Sequence, residues 1–225
     1  SRPRPLPPPR RWHDGSRMSG ATAAPGRIQA LLMDADGVLQ LPRDGWLSEL
    51  AELGGGVDFV DELFEQEVAA LDGSVDLADV LDDLIRRRRL DTRPEQIIEV
   101  WQSVDLFWPM LELVADVRRG GVVTALATNQ HSYRGSWMKQ ALPYREYFDR
   151  EFYSFEMGVA KPDPAYFEQI LDHLAVPADA AVFVDDRAEN VDAAGSVGLH
   201  TVWCPTPEEP DAIRAQLREL GVPGA

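Results

Sequence analysis

Asp34 and Asp36 stand two residues apart at the end of an apolar run, 28–33, and Gly37 follows at once. Two carboxylates ionised so close together repel one another, and a cation between them turns that repulsion into coordination. An all-oxygen ligand set suits a hard ion such as Mg²⁺. Gly37 frees the backbone to leave the strand sharply. An ordinary strand-closing turn would also use Asp-Gly, although it has no need of Asp34. The pair by itself leaves turn and catalytic centre both open.

Further polar groups close other apolar runs. Thr128-Asn129 ends the run at 122–127, and Asp185-Asp186 ends the run at 181–184, with Asn190 shortly after. Lys161 lies in Gly158-Val159-Ala160-Lys161-Pro162-Asp163-Pro164 and is one of two lysines in the chain, against 20 arginines. A hydroxyl and an amide can donate to phosphate oxygens, and an ammonium offsets negative charge on a nucleophile and its substrate. The additional acids complete the coordination of a divalent ion. Lys-Pro-Asp-Pro also reads as a rigid turn with Asp163 capping the helix after it, and the two roles are compatible.

The elements that position these groups are readable from periodicity. Apolar, β-forming runs at 28–33, 122–127, 181–184 and 199–203, with a weaker one at 151–155, predict strands. Amphipathic stretches at 109–119, 132–141, 163–174 and 188–197 predict helices between them, the last stopping at Gly198. Strands alternating with helices give right-handed crossovers and a parallel sheet covered on both faces. In such a sheet the active crevice lies beyond the carboxyl ends of the strands, where all of these polar groups fall. The interval from Leu39 to Gly121 is far longer than a crossover requires. It reads as helices at 46–53, 57–71, 76–89 and 94–107, a small helical domain inserted after the first strand.

Composition limits the remaining possibilities. The chain has 225 residues and a net charge of −16, which disfavours nucleic acid or an anionic membrane as partner. No run approaches the ~20 apolar residues of a membrane-spanning helix. The lone Cys204 cannot form an intramolecular disulfide, which fits a reducing, cytoplasmic compartment. Residues 1–17 carry five Arg, with five Pro among the first nine positions, and 1–25 reads as a disordered leader.

Taken in order, Asp34-x-Asp36-Gly-Val, Thr128-Asn129, Lys161-Pro-Asp-Pro and Asp185-Asp186 resemble the four motifs of the haloacid dehalogenase-like (HAD) hydrolase superfamily. The resemblance spans roughly 27–205 and includes an insertion where that superfamily places a helical cap. The stretches around Lys161 and Asp185 are similar to the branch of bacterial sugar-phosphate phosphatases and the phosphatase domain of soluble epoxide hydrolase. The fold it implies is α/β, a Rossmann-like parallel sheet with helices on both faces and a small inserted helical cap. Residues 26–42 and 108–225 would form the core and 43–107 the cap.

The resemblance also implies roles. Asp34 would attack phosphorus and form an aspartyl-phosphate. Asp36 would protonate the leaving oxygen, then deprotonate the hydrolytic water, and its backbone carbonyl would bind the metal. Thr128 and Asn129 would hold phosphate oxygens, and Lys161 would brace nucleophile and phosphate. Asp186 would bind Mg²⁺ directly, with Asp185 a ligand or a support, while Asn190 stands where some members have another acid. The implied activity is Mg²⁺-dependent hydrolysis of a small, sugar-like phosphate. Rivals are a phosphomutase, a metal-independent 2-haloacid dehalogenase and a non-catalytic regulatory module. The second aspartate and the paired acids favour phosphoryl chemistry, because a halide leaving group needs neither an acid nor a metal.

Other features read more plainly. Arg86 to Arg89 suit a solvated helix end, where cations complement the dipole. His131 reads as a surface-loop residue, and Cys204 as packing. Trp46, Phe59, Phe64, Trp101, Phe107 and Trp108 make up the insertion's core, with one or two left to line a pocket. The acidic segment 207–218 reads as a surface helix.

Overall fold

The computed structural model describes residues 27–205 and 210–225, so the arginine- and proline-rich stretch 1–25 lies outside the described residues. Their strands are β1 (Ala30–Met33), β2 (Gln40–Pro42), β3 (Val104–Leu106), β4 (Val123–Thr128), β5 (Arg150–Tyr153), β6 (Ala181–Asp185) and β7 (His200–Trp203). Five of them form a parallel sheet in the order β5-β4-β1-β6-β7. β1 is central, and Met33 lies in register with both Leu126 and Val184. Asp34, the end of β4 and Asp185 therefore reach the same edge of the sheet.

Alternation along the strands sorts side chains between two cores. Leu31, Met33, Leu126, Val182 and Val184 pack on one face with Leu111, Val114 and Leu217. These partners come from helices Trp108–Arg119 and Pro210–Glu219. Ala30, Leu32, Ala125 and Phe183 pack on the other with Phe167, Ile170 and Ala194. Here the covering helices are Pro164–Leu174 and Ala188–Val197. Burial from both sides explains why the strand sequences are continuous apolar runs rather than alternating ones.

The insertion folds as helices Trp46–Gly54, Val57–Glu67, Leu77–Arg88 and Pro94–Trp101 around a core of its own that includes Leu50, Phe59, Leu63, Leu81 and Ile97. Two expected boundaries change. The helix expected over 57–71 stops at Glu67 and continues only as a 3₁₀ turn, Val68–Ala70. The helix expected over 94–107 stops at Trp101, and Val104–Leu106 pairs antiparallel with Gln40–Pro42. The chain enters and leaves the insertion side by side, and pairing satisfies backbone groups that a longer helix would have left open at the crossing. The expected helix over 207–218 is described over Pro210–Glu219, with Ile213 and Leu217 buried against the sheet.

A buried ion pair braces the other end of the sheet. Arg118 Nε donates to Asp149 Oδ1 at 3.0 Å, and Arg118 Nη1 to the Glu146 carbonyl at 2.8 Å. The Thr124 backbone N–H, at the start of β4, donates to Asp149 Oδ2 at 3.1 Å. Asp149→Ala leaves the guanidinium without its counter-charge and is expected to cost ~3–5 kcal/mol in urea unfolding. A loss under ~1 kcal/mol would show that the pair is not load-carrying in the fold.

Candidate active site

Asp34 follows β1 directly and is buried at the sheet edge. The Lys161 ammonium lies 2.8 Å from Asp34 Oδ1 and 2.7 Å from Asp185 Oδ2, and donates to the Ala127 carbonyl at 2.9 Å. Asp185 also accepts from the Arg187 backbone N–H at 2.8 Å and from the Asn190 amide at 3.0 and 3.1 Å. Its oxygens are thus engaged by protein donors, so Asp185 is a support that locates Lys161 and the loop after β6. Asn190 belongs to this support too.

Asp186 lines the cavity beside Asp34. Gly37, at φ 76°, has no Cβ where one would collide with the Asp186 carboxylate. The residue after the two acids is therefore glycine for a second reason besides its backbone angle. One oxygen from each of Asp34, Asp185 and Asp186 lies within 4.8 Å of the others. That is near the ~4 Å between opposite oxygens around Mg²⁺.

Burial, with Asp185 close by, holds the Asp34 carboxyl up at about 8 despite Lys161. Burial and Asp185 likewise raise Asp186 to about 6. One ammonium cannot balance this much negative charge, and a divalent cation would relieve the excess. The oxygen-only donor set and its surplus charge fit Mg²⁺, with Asp34 and Asp186 as the side chains that would hold it.

The remaining expected groups are arranged less simply. Asn129 is committed at both ends: its amide donates to the Lys161 carbonyl at 2.7 Å, and its oxygen accepts from the Lys161 N–H at 2.9 Å. Its side chain shapes the Lys161 loop and also lines the cavity, with a second amide N–H beyond the one given to Lys161. Thr128 is fully buried behind the cavity wall, its oxygen accepting from Gln130 at 3.0 Å. Lys-Pro-Asp-Pro does serve as a helix entry, Asp163 capping through the Ala165 N–H at 2.9 Å.

Asp36 lines the same cavity as Asp34 and Lys161 and is held by a second cluster. Arg134 grips both of its oxygens, at 2.5 and 2.7 Å, while Gln40 and Gln130 donate at 2.9 and 2.7 Å. Burial works against the charge, but Arg134 and these amides outweigh it and hold the carboxyl below its ordinary value. Arg134 Nε also donates to the Trp101 carbonyl at 2.7 Å, so one side chain ties Asp36 to the end of the last inserted helix.

Arg134, Gln130 and Gln40 carried no sequence signal. One arginine among 20 is not distinctive, and its partner Asp36 lies 98 residues away. His131 is a correction: it is buried rather than in a surface loop, and its Nδ1 accepts from the Arg134 N–H at 3.3 Å to cap the helix Ser132–Ala141. Burial, with Arg134 nearby, drives its imidazole down to about 3, so it is neutral. Arg86, Arg87 and Arg88 pair with Asp83 and Glu62 on the insertion, away from the cavity lining.

The cavity has a volume of about 600 Å³ and lies between the sheet edge and the inserted helices. Trp46, Phe64, Leu71 and Trp101 line its far side, with Glu67 as the ionisable group the insertion supplies among the described residues. Burial raises Glu67 to about 7 against the pull of Arg134. The unfolded chain would ionise it near its ordinary 4.5, so the fold loses stability as pH rises from about 4.5 to 7. Glu67→Gln removes that loss. The variant is expected to match the wild type at pH 4 and exceed it by ~3 kcal/mol at pH 8. Thermal unfolding at both pH values checks this, and an equal offset at both would show Glu67 already ionised at pH 4.

A family model described as haloacid dehalogenase-like hydrolase matches residues 28–198. Acyl-CoA dehydrogenase family member 10 of Mus musculus is 34% identical over 127 residues, 54% of this chain and 12% of its own length. Sesquiterpene phosphatase astK of Aspergillus oryzae is 33% identical over 94 residues, 40% of this chain and 48% of its own. The chain thus spans less than half of either curated relative. A HAD family enzyme from Bacteroides thetaiotaomicron, solved with magnesium and inorganic phosphate, superposes with a TM-score of 0.68 at 26% identity, covering 78% of this chain and 93% of that one. Among the described residues, no helix is long and apolar enough to cross a membrane.

Proposed function

The chain belongs to the haloacid dehalogenase-like hydrolases, and we propose that within them it is a Mg²⁺-dependent phosphomonoester hydrolase working through an aspartyl-phosphate. The observation that carries this reading is the gathering of Asp34, Asp185 and Asp186 oxygens within 4.8 Å of one another, with one ammonium bridging Asp34 and Asp185. A dianionic substrate would be repelled by that group unless a divalent ion shared the site. The relative solved with magnesium and inorganic phosphate supports the same view, as does the phosphatase named among the curated relatives.

When bound, Mg²⁺ supplies charge neutralisation for nucleophile and phosphoryl group. Lys161 fixes Asp34 Oδ1 at 2.8 Å and offsets its charge. An Asp34 oxygen attacks phosphorus, the bond from phosphorus to the ester oxygen breaks, and the leaving oxygen takes a proton from Asp36. Water then attacks the aspartyl-phosphate, giving its proton to Asp36, and the bond from phosphorus to the Asp34 oxygen breaks to release phosphate.

Asp36 cannot act while Arg134 holds it, because its oxygens are occupied and it carries no proton. The acid step therefore requires Asp36 to leave Arg134, take a proton from solvent and pass it to the leaving oxygen. The proton it later takes from the attacking water returns to solvent when Arg134 grips it again, so Arg134 positions it between turnovers. The partner is a small phosphorylated molecule. A net charge of −16 disfavours polyanions and anionic membranes.

Phosphate release from a panel of phosphate esters with excess Mg²⁺, and its loss on chelation, tests this reading. Interconversion of sugar phosphates without phosphate release would favour the phosphomutase. Halide release from 2-haloacids that survives a chelator would favour the dehalogenase, and inertness toward every ester would favour a regulatory module.

A further inference from the structure

The cavity is sharply sorted by polarity. At the sheet edge its lining is polar, with Asp34, Lys161, Asp186 and Asn190. Facing them, Leu41, Trp46, Phe64, Leu71, Val100 and Trp101 form an apolar wall. Three of the rings are continuous, Trp46 to Phe64 at 5.7 Å between centroids and Phe64 to Trp101 at 6.4 Å. A phosphoryl group seated against Asp34 and Lys161 directs the rest of its ester toward this wall.

Few polar groups there are free to meet hydroxyls. Arg134 spends its guanidinium on Asp36, Gln130 and the Trp101 carbonyl. The Asn129 side chain spends one N–H and its oxygen on the Lys161 backbone, which leaves a single N–H at the cavity. Among the described residues of the insertion, Glu67 alone adds an ionisable group to the lining. A sugar brings several hydroxyls, each of which loses water on entry and needs a partner. A hydrocarbon skeleton instead gains by covering the aromatic wall.

We infer that the leaving group is a hydrophobic alcohol, aliphatic or aromatic, rather than a sugar. This rests on the phosphatase reading and replaces the sugar-like expectation, which came from similarity around Lys161 and Asp185, outside the insertion that lines this wall.

The sharpest test compares glucose 6-phosphate with cyclohexylmethyl phosphate. Both are primary esters on a six-membered ring, so they differ little in leaving-group chemistry and chiefly in hydroxyls. Affinity is measured by calorimetry on Asp34→Asn with Mg²⁺, and phosphate release on the wild type. Cyclohexylmethyl phosphate is expected to bind at least ~10-fold tighter, and Phe64→Ser or Leu71→Gln to narrow that ratio below ~3-fold.

Equal or tighter binding of glucose 6-phosphate would overturn the inference, and phosphate release in that case would leave the phosphatase reading standing. Tighter binding of cyclohexylmethyl phosphate without release of phosphate from either ester would keep the hydrophobic pocket and discard the phosphatase reading. Failure of both esters to bind would overturn the inference, and the wild-type ester panel would then decide the phosphatase reading separately.

Discussion

Asp34→Asn is expected to lower kcat for phosphate release by at least ~10³-fold while leaving the protein folded. The amide has nearly the shape of the carboxylate but a far weaker nucleophile, so the first displacement fails before proton transfer matters. The surroundings explain why the fold survives. Lys161 keeps Asp185 at 2.7 Å and the Ala127 carbonyl at 2.9 Å, so its ammonium is not orphaned. Burial already disfavours the Asp34 anion, holding its carboxyl at about 8. A neutral amide at that position removes a charge the fold resists, and the metal-free variant should melt no lower than the wild type. Circular dichroism melting with and without Mg²⁺, beside single-turnover kinetics, checks both halves. Retention of more than a tenth of wild-type turnover would remove Asp34 from the nucleophile's role.

Lys161→Met is expected to damage both stability and activity. The ammonium is buried, shared between two carboxylates, and lies 5.2 Å from the centre of the Phe183 ring. Burial opposes its charge, yet Asp34 and Asp185 outweigh burial and raise its proton affinity. Methionine fills similar volume but leaves the buried Asp185 carboxylate without its counter-charge, and the Asp34 carboxyl beside it then holds its proton more tightly still. Breaking such a pair costs ~3–5 kcal/mol, on the order of 10 °C in melting temperature for a chain this size. Turnover should fall by ~10²–10³-fold, since the nucleophile loses both its positioning and its charge compensation. Mg²⁺ should raise the melting temperature of the variant more than that of the wild type, because a cation takes over part of the lost neutralisation. Equal stabilisation of the two proteins would mean that the metal does not share the charge Lys161 balances.

Together the two variants separate chemistry from charge balance. Asp34→Asn removes the reacting atom and lightens the anionic load. Lys161→Met retains the reacting atom and worsens that load. Arg134 sits outside this balance, on the side of the site that joins Asp36 to the insertion through the Trp101 carbonyl. Its bonds link Asp36, the acid of the proposed mechanism, to the end of the last inserted helix.

The core was legible because its rules are local. Apolar runs at 28–33, 122–127, 181–184 and 199–203 become strands, and acids that end them reach one edge because parallel strands share a direction. The polar groups could be placed at that edge because they follow predicted strands, their grouping as four motifs came from the family resemblance, and the insertion announced itself by its length. Its exit was misread. Val104–Leu106 is a strand only because Gln40–Pro42 runs beside it, a partnership no local periodicity records.

The fine assignment of side chains was likewise a tertiary matter. That Asp36 turns to Arg134, that Asn129 braces the Lys161 backbone, and that His131 is buried all depend on contacts between distant segments. The apolar character of the far cavity wall depends on which face of each inserted helix looks inward. Residue type and spacing determine which chemistry the chain can attempt. Burial and hydrogen-bond competition, set when the insertion meets the sheet edge, decide which groups are free to perform it and what kind of molecule can enter.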